Sequence, residues 1–213
     1  MAARYMLHGL FLSGPTYKVA LMLALAGETF DYEHVALREG AHKTPEFRAK
    51  SRFGQVPCLV DTTNGHSLCQ SASILEYLAD KTGKMGGATL QERIAAREWK
   101  FWDFDRLAGP VYRQRAAKFG FRTLDPATLA MYEAEGKVAL QTLEDALVGR
   151  DWLVGEAPTI ADIDIYGVIH YAPQAGIDLS SYPAIVAWKA RFEALPGFGE
   201  PEAILPQASR AAA

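Results

Sequence analysis

The chain has 213 residues, of which 49% are hydrophobic and 22% are charged, and its formal net charge is −3. This composition is typical of a globular protein with one domain or two small ones. The lack of a basic excess argues against a nucleic-acid partner, and no apolar run reaches the roughly 18 residues of a membrane-spanning helix. The only two cysteines, Cys58 and Cys69, do not make a disulfide scaffold, so we expect a cytoplasmic protein.

The first 83 residues predict a small α/β domain in the order β-α-β, a loop segment, then β-β-α. A helix should start near Pro15 and stop at Gly27, because proline suits the first turn of a helix and glycine its end. The dipeptide Asn64-Gly65 is typical of a hairpin turn. The strands are predicted over residues 4–9, 30–37, 56–61 and 66–69, and a second helix over residues 72–83.

After residue 83 the strand signals stop. The stretch "KTGKMGGATL", rich in glycine and small residues, is the predicted boundary between a first domain, residues 1–83, and an all-helical second domain, residues 90–213. Thr159-x-x-Asp162 is close to a capping box, so we assign Asp162 to structure. Helices are predicted over residues 90–119, 127–148, 159–173 and 182–194.

Pro57 stands at the mouth of a short apolar strand, Cys58 to Val60. Proline has no N–H to donate to a sheet, so it belongs at a strand start, an edge or a bulge. Taken alone, the pattern is equally consistent with a plain strand start and with a binding site.

Five motifs, which occur along the chain in a characteristic order, favour the binding site over the plain strand start. The stretch "FGQVPCLVD", followed by "QSASILEYLA", resembles the glutathione transferase superfamily, and "LSGPTYKVALMLALAG", "HKTPEF" and "PTIADIDIYGVI" match the family in the same order. The chain is most similar to bacterial serine-type members. The resemblance implies an α/β thioredoxin-like N-terminal domain and an all-α C-terminal domain. It also implies a homodimer that takes glutathione as co-substrate. The histidines are scattered without metal-ligand spacing, so no metal is expected.

The resemblance also implies how glutathione is held. A cis Val56–Pro57 bond would let the backbone of Val56 pair, like a strand, with the cysteinyl backbone of glutathione. Gln70 and Ser71, at the head of a helix, would take the γ-glutamyl carboxylate. Candidates for the glycyl carboxylate are Gln55, His42 and Lys43.

Ser13 is the predicted catalytic residue, because it lies at the N-terminal end of the first helix, where serine-type relatives carry the hydroxyl that stabilises the thiolate. Tyr5, Thr16 and Tyr17 are weaker rivals. Pro15 is a departure, since such relatives often carry Asn there, and it leaves the details of thiolate stabilisation open.

The second substrate is expected to be a small apolar electrophile that contacts Leu10, Phe11 and Trp102. An acid from the partner subunit, Asp103 or Asp105, is a weaker candidate for the ammonium of glutathione.

We therefore expect a glutathione transferase. Glutathione-dependent peroxidase or disulfide reductase activity, and a non-catalytic ligand-binding or regulatory role, are the alternatives. Cys58 and Cys69 would lie opposite each other if Asp61 pairs with His66, so a redox pair is conceivable. A reducing compartment argues against it.

Overall fold

The structure is a computed structural model that describes residues 3–209. It contains two compact units: the chain up to Lys84 together with the segment from Leu195 onward, and Met85–Ala194. The predicted domains, residues 1–83 and 90–213, differ from this division in one respect, since residues 195–209 pack with the first unit. The last four residues lie outside the described part of the chain.

The first unit is built on one mixed sheet with strand order β2-β1-β3-β4. β1 and β2 are parallel, and the other two pairs are antiparallel. The strands are β1 (Tyr5–Gly9), β2 (Phe30–His34), β3 (Cys58–Asp61) and β4 (His66–Cys69). The helices are α1 (Gly14–Ala26), α2 (Pro45–Lys50) and α3 (Ser71–Thr82). This is the predicted thioredoxin-like arrangement.

Short-range signals explain most of these boundaries. α1 ends at Gly27, whose φ of 74° is a left-handed conformation that favours glycine. α2 was not predicted from the sequence. Its cap is Thr44, whose hydroxyl accepts a hydrogen bond from the Phe47 N–H at 3.2 Å, and Pro45 follows in the first turn. The buried side chain of Phe47 then packs with Val35 and both cysteines.

The second unit is helical, as predicted, but two predicted helices are interrupted. A π-helical turn, Asp103–Leu107, separates the first two helices, and a break after Ile169 divides the predicted helix 159–173. The helices of this unit are α4 (Leu90–Trp102), α5 (Ala108–Lys118), α6 (Pro126–Leu147), α7 (Ile160–Ile169), α8 (Ala172–Ala175) and α9 (Pro183–Glu193).

The structural role assigned to Asp162 is confirmed. Its fully buried carboxylate accepts hydrogen bonds from the Thr159 N–H at 2.8 Å, the Leu153 N–H at 3.1 Å and the Trp188 indole N–H at 2.9 Å. Burial raises the pKa of this carboxyl despite these bonds. Asp162 therefore joins the cap of α7 to the loop before it and to α9.

The segment after Leu195 includes the short helix α10 (Pro201–Ile204), which contacts α1. The Tyr17 hydroxyl donates a hydrogen bond to the Gly199 carbonyl oxygen at 3.0 Å. These contacts are the reason that this segment belongs to the first unit. None of the helices formed by residues 3–209 combines the length and the apolar character needed to cross a bilayer.

Asp61, at the end of β3, is a buried carboxylate that ties three elements together. Its Oδ2 accepts a hydrogen bond from the Tyr77 hydroxyl of α3 at 2.8 Å and pairs with the Arg4 guanidinium, just before β1, at 3.0 Å. Its Oδ1 accepts from the Thr63 N–H at 3.0 Å. Burial alone would raise the pKa of Asp61, but the hydrogen bonds, foremost those from Thr63 and Tyr77, hold it well below its usual range.

This lowered pKa predicts acid sensitivity. The unfolded chain binds the proton more tightly, so the stabilisation is present above the unfolded pKa of about 3.9 and is lost as the pH falls below it. Asp61→Asn should lower the free energy of unfolding by about 2 kcal/mol at pH 6, because buried partners lose a charged acceptor. The deficit should shrink by about 1 kcal/mol at pH 3.

Urea unfolding of wild type and variant at the two pH values measures this difference. Asp80→Asn, which changes an exposed carboxylate on α3, is the matched control and should show little effect at either pH. An equal deficit for Asp61→Asn at both pH values would contradict the assignment.

Candidate functional site

The register of the sheet brings three connections to one edge. His8, near the end of β1, lies opposite Cys58 at the start of β3, and Cys58 lies opposite Cys69 at the end of β4. The loop after β1, the segment before β3 and the start of α3 therefore leave the sheet at the same edge. These connections carry most of the candidate glutathione residues predicted from the sequence.

Ser13 caps α1. Its Oγ accepts a hydrogen bond from the Thr16 N–H at 3.2 Å, while its own O–H donates to no other residue among 3–209. The side chain is half-buried, so this proton is available to a ligand. Pro15, in the first turn, carries no N–H. The Gly14 N–H and the Ser13 hydroxyl are thus the donors that this helix end presents.

The rival hydroxyls are differently placed. Burial raises the pKa of Tyr5, whose side chain is fully enclosed. The Tyr17 hydroxyl proton is donated to the Gly199 carbonyl. Thr16 is fully buried. Of these four side chains, only that of Ser13 is partly exposed at the edge of the sheet.

The peptide bond between Val56 and Pro57 is cis, which confirms the prediction. Neither the N–H nor the C=O of Val56 has a hydrogen-bond partner among residues 3–209. Ser51 holds the preceding segment: its buried hydroxyl donates to the Gln55 carbonyl at 2.9 Å and accepts from the Gln55 N–H at 3.2 Å. Val56 thus presents a backbone donor and a backbone acceptor, as strand-like pairing with a peptide requires.

Sequence reasoning missed Ser51. A single serine after a short helix carries no signal of its function, because its hydrogen bonds to the Gln55 backbone leave no pattern in the sequence.

At the start of α3, Gln70 adopts φ 70° and ψ 116°, a conformation that a residue other than glycine rarely takes. No side chain caps this helix. Ser71, the first helical residue, is half-buried and makes no hydrogen bond through its hydroxyl to another described residue. The helix dipole and the first-turn N–H groups therefore favour an anion here.

The Gln55 side chain lies at the Gln70 end of the site, since the Gln70 amide donates to the Gln55 Oε1 at 3.0 Å. His42 and Lys43 lie on a short 3₁₀ turn. Lys43 is exposed, and the Nδ1 of His42 is buried without a hydrogen bond among the described residues. His42 and Lys43 are therefore the predicted candidates that remain for a second carboxylate.

The residues predicted to contact the electrophile or the ammonium of glutathione lie partly in the first unit and partly in the second. Leu10 and Phe11, half-buried, follow β1 in the first unit. Trp102, also half-buried, ends α4 in the second unit, with its ring edge-on to that of Trp99 at 5.2 Å. Asp103 is buried, and Asp105 is exposed and pairs with Arg106 at 2.7 Å.

The two cysteines are register partners, as expected from the Asp61–His66 pair, and both are free buried thiols. Burial, followed by the charge of the neighbouring Cys69, raises the pKa of Cys58 to about 12. Because the thiolate is the reactive form, Cys58 is a poor nucleophile at neutral pH. Within residues 3–209, no group of three or more His, Cys, Asp or Glu side chains is arranged to hold a metal ion.

Two family models match the chain: the glutathione S-transferase N-terminal domain over residues 15–81 and the C-terminal domain over residues 127–196. A crystal structure of a possible glutathione S-transferase from Rhodopseudomonas palustris is 35% identical, with a TM-score of 0.88, and the match covers 94% of this chain and 98% of that one.

Glutathione S-transferase theta-1 of Mus musculus is 30% identical over 87% of this chain and 81% of its own. Disulfide-bond oxidoreductase YfcG of Escherichia coli strain K12 is 29% identical over 86% of this chain and 88% of its own.

The backbone of Gln70 predicts an unusual response to glycine. Gln70→Gly should raise the free energy of unfolding by about 1 kcal/mol, because it relieves a strained conformation. Ser73→Gly, two residues into α3, should instead lower it by roughly 0.5–1 kcal/mol. Chemical denaturation of both variants measures the contrast, and a loss of stability in Gln70→Gly would show that the conformation is not strained.

Proposed function

Because the chain belongs to the glutathione S-transferase family, we propose that it binds glutathione at this edge of the sheet and ionises its thiol at Ser13. The thiol proton passes to solvent, and the thiolate then forms a sulfur–carbon bond to a small apolar electrophile. Either a leaving group departs with the electron pair of the broken bond, or a double bond or strained ring opens and takes a proton from water. The observation that carries the proposal is the sheet register, which brings the N-termini of α1 and α3 and the unpaired backbone of Val56 to one edge.

Glutathione is a short peptide with two carboxylates, and the site offers matching groups. Val56 supplies a backbone donor and acceptor for the cysteinyl residue. Ser71 and Gln70 take the γ-glutamyl carboxylate at the α3 N-terminus. Gln55, predicted from the sequence as a candidate for the glycyl carboxylate, is instead placed with them, because its Oε1 accepts a hydrogen bond from the Gln70 amide. His42 and Lys43 take the glycyl carboxylate. Pro57 shapes the strand entrance and makes no polar contact.

Ser13 stabilises the thiolate. The thiol of free glutathione resembles that of cysteine, with a pKa of about 8.5, so little of it is ionised at neutral pH. A hydrogen bond to a charged group contributes roughly 1.5–3 kcal/mol. Since one pKa unit corresponds to about 1.36 kcal/mol, the Ser13 hydroxyl can lower the thiol pKa by about one to two units. The N-terminus of α1 acts in the same direction.

Leu10, Phe11 and Trp102 are the proposed contacts of the electrophile, for which apolar side chains are suited. A second candidate activity is reduction of disulfides by glutathione, and it is favoured by the similarity to disulfide-bond oxidoreductase YfcG. The raised pKa of Cys58 supports a role for the thiol of glutathione, rather than for a protein thiol, in either reaction.

We also propose a homodimer in the cytoplasm. The two free cysteines support a reducing compartment. The dimer is supported by Phe101 and Phe104, whose side chains are 70% and 78% exposed on α4 and the π-helical turn after it. Two large aromatic side chains that are this exposed and this close together in the chain favour an interface with another protein surface.

Ser13→Ala tests the proposed reaction. It should raise the pKa of the bound thiol by about one unit or more and lower turnover roughly ten- to a hundred-fold, because one hydrogen bond to the thiolate is lost. Affinity for glutathione should change little, since most contacts lie at Val56, Gln70 and Ser71. The measurement is the titration of thiolate absorbance, with turnover of a panel of electrophiles, hydroperoxides and mixed disulfides.

Asp125→Ala is the control, because it removes another helix cap, that of α6, away from the proposed site. It should lower stability as much as Ser13→Ala without moving the thiol pKa. If the thiol of glutathione bound to wild type has the same pKa as that of free glutathione, a non-catalytic protein is favoured. If the protein turns over disulfides alone, the reductase activity is favoured.

The dimer has its own test. Wild type should scatter light as a dimer at micromolar concentration, and Phe101→Asp with Phe104→Asp should give a monomer, because two charges would be buried unpaired. Val138→Asp changes a residue of α6 that is 68% exposed and should leave the dimer intact. A monomeric wild type would refute the proposal.

A further inference from the structure

The C-terminal segment, residues 195–209, lies along α1, the helix whose first turn belongs to the site. Near the end of α1, Gly197 comes so close that a Cβ added to it would lie 2.8 Å from the Ala24 carbonyl oxygen. Near the start of α1, the Tyr17 hydroxyl donates to the Gly199 carbonyl oxygen at 3.0 Å. The segment therefore touches α1 at both ends.

Tyr17 connects this segment to Ser13 directly. Its backbone N–H donates to the Ser13 carbonyl oxygen at 2.9 Å, the first hydrogen bond of the helix. The Tyr17 side chain is fully buried, so the loss of its hydroxyl would leave the Gly199 carbonyl without a buried partner. The backbone that carries the Ser13 hydroxyl is thus tied through one residue to the C-terminal segment.

The segment is itself a firm anchor. Pro201 and Leu205 are buried. Beyond them, the Ser209 Oγ accepts a hydrogen bond from the His34 N–H, at the end of β2, at 3.0 Å. These contacts hold the segment to the sheet as well as to α1. The Gly199 carbonyl, which accepts the Tyr17 hydrogen bond, is therefore fixed in position.

We propose that Tyr17 is a positioning residue, which holds the first turn of α1 against Gly199 so that the Ser13 hydroxyl is aimed at the thiol of glutathione. This inference rests on the proposed function. Tyr17 does not contact the thiolate, because its hydroxyl proton is donated to Gly199. Its effect is geometric, and small displacements of a catalytic group cause large losses of rate.

The test compares Tyr17→Phe with Tyr166→Phe. The control also removes a buried tyrosine hydroxyl, one that donates to Glu193 at 2.8 Å in the second unit. Both variants should melt at lower temperature. Only Tyr17→Phe should raise the pKa of the bound thiol, by about half a unit, which is roughly a threefold loss of thiolate. The kcat should fall similarly, while KM for glutathione stays within about twofold, since the carboxylate contacts are unchanged.

A double-mutant cycle separates positioning from direct contact. If Tyr17 acts through Ser13, Tyr17→Phe should shift the thiol pKa in wild type and not in the Ser13→Ala background. An equal shift in both backgrounds would mean that Tyr17 touches the thiolate, and would overturn the inference.

Gly197→Ala provides a second route to the same displacement, because the added Cβ would push the segment away from the Ala24 carbonyl. It should shift the thiol pKa in the same direction as Tyr17→Phe. If both variants lower the melting temperature and leave the thiol pKa unchanged, Tyr17 is structural only, and the proposed function stands. An ordinary thiol pKa in wild type would overturn the proposed function, and this inference with it.

Discussion

The register of β3 between β1 and β4 is the constraint on which the candidate site depends. Because Cys58 faces both His8 and Cys69 across the ladders, the chain must leave these strands at a common edge. A shift of one residue would turn the buried side chains of β3 toward the opposite face. Such a shift would also part the buried Asp61 carboxylate from Arg4 and Tyr77, so these contacts secure the register, and with it the meeting of three connections that are distant in sequence.

Polarity at this edge comes mainly from the backbone. Two helices begin there, and the unpaired amide groups of Val56 lie between the strands and the loop before them. Backbone donors are fixed by the fold and need no reorganisation when an anion or a developing thiolate arrives. The strained conformation of Gln70 fits this pattern, since strain persists where the surrounding structure imposes it. The N-termini of the two helices already provide a positive electrostatic potential, and side chains such as Ser13 and Ser71 add hydrogen bonds that select the ligand.

Burial and hydrogen bonding, rather than residue type, separate the groups that can react from those that cannot. Four hydroxyl side chains lie in or near β1 and the first turn of α1, and three of them are enclosed. The same holds for sulfur. Burial raises the pKa of Cys58 to about 12, and both cysteines pack in a buried apolar cluster with Val35 and Phe47. The hydrogen bonds of Asp61 and the contacts of the C-terminal segment with α1 stabilise the first unit from positions outside the site.

The sequence was sufficient to predict the mixed α/β first unit, the helical second unit, the cis bond at Pro57 and the capping role of Asp162, because these depend on local patterns and on motifs that can be recognised. It did not reveal α2, the π-helical turn, the conformation of Gln70 or the hydrogen bonds of Ser51. Nor did it reveal that the segment after Leu195 returns to α1 and engages Tyr17. α2 and the Ser51 bonds are local, but a six-residue helix and a side chain bonded to the backbone leave no periodic pattern in the sequence. The return of the C-terminal segment joins residues far apart in the chain, such as Tyr17 and Gly199, and because local propensity does not encode contacts of that range, the folded structure was needed to reveal it.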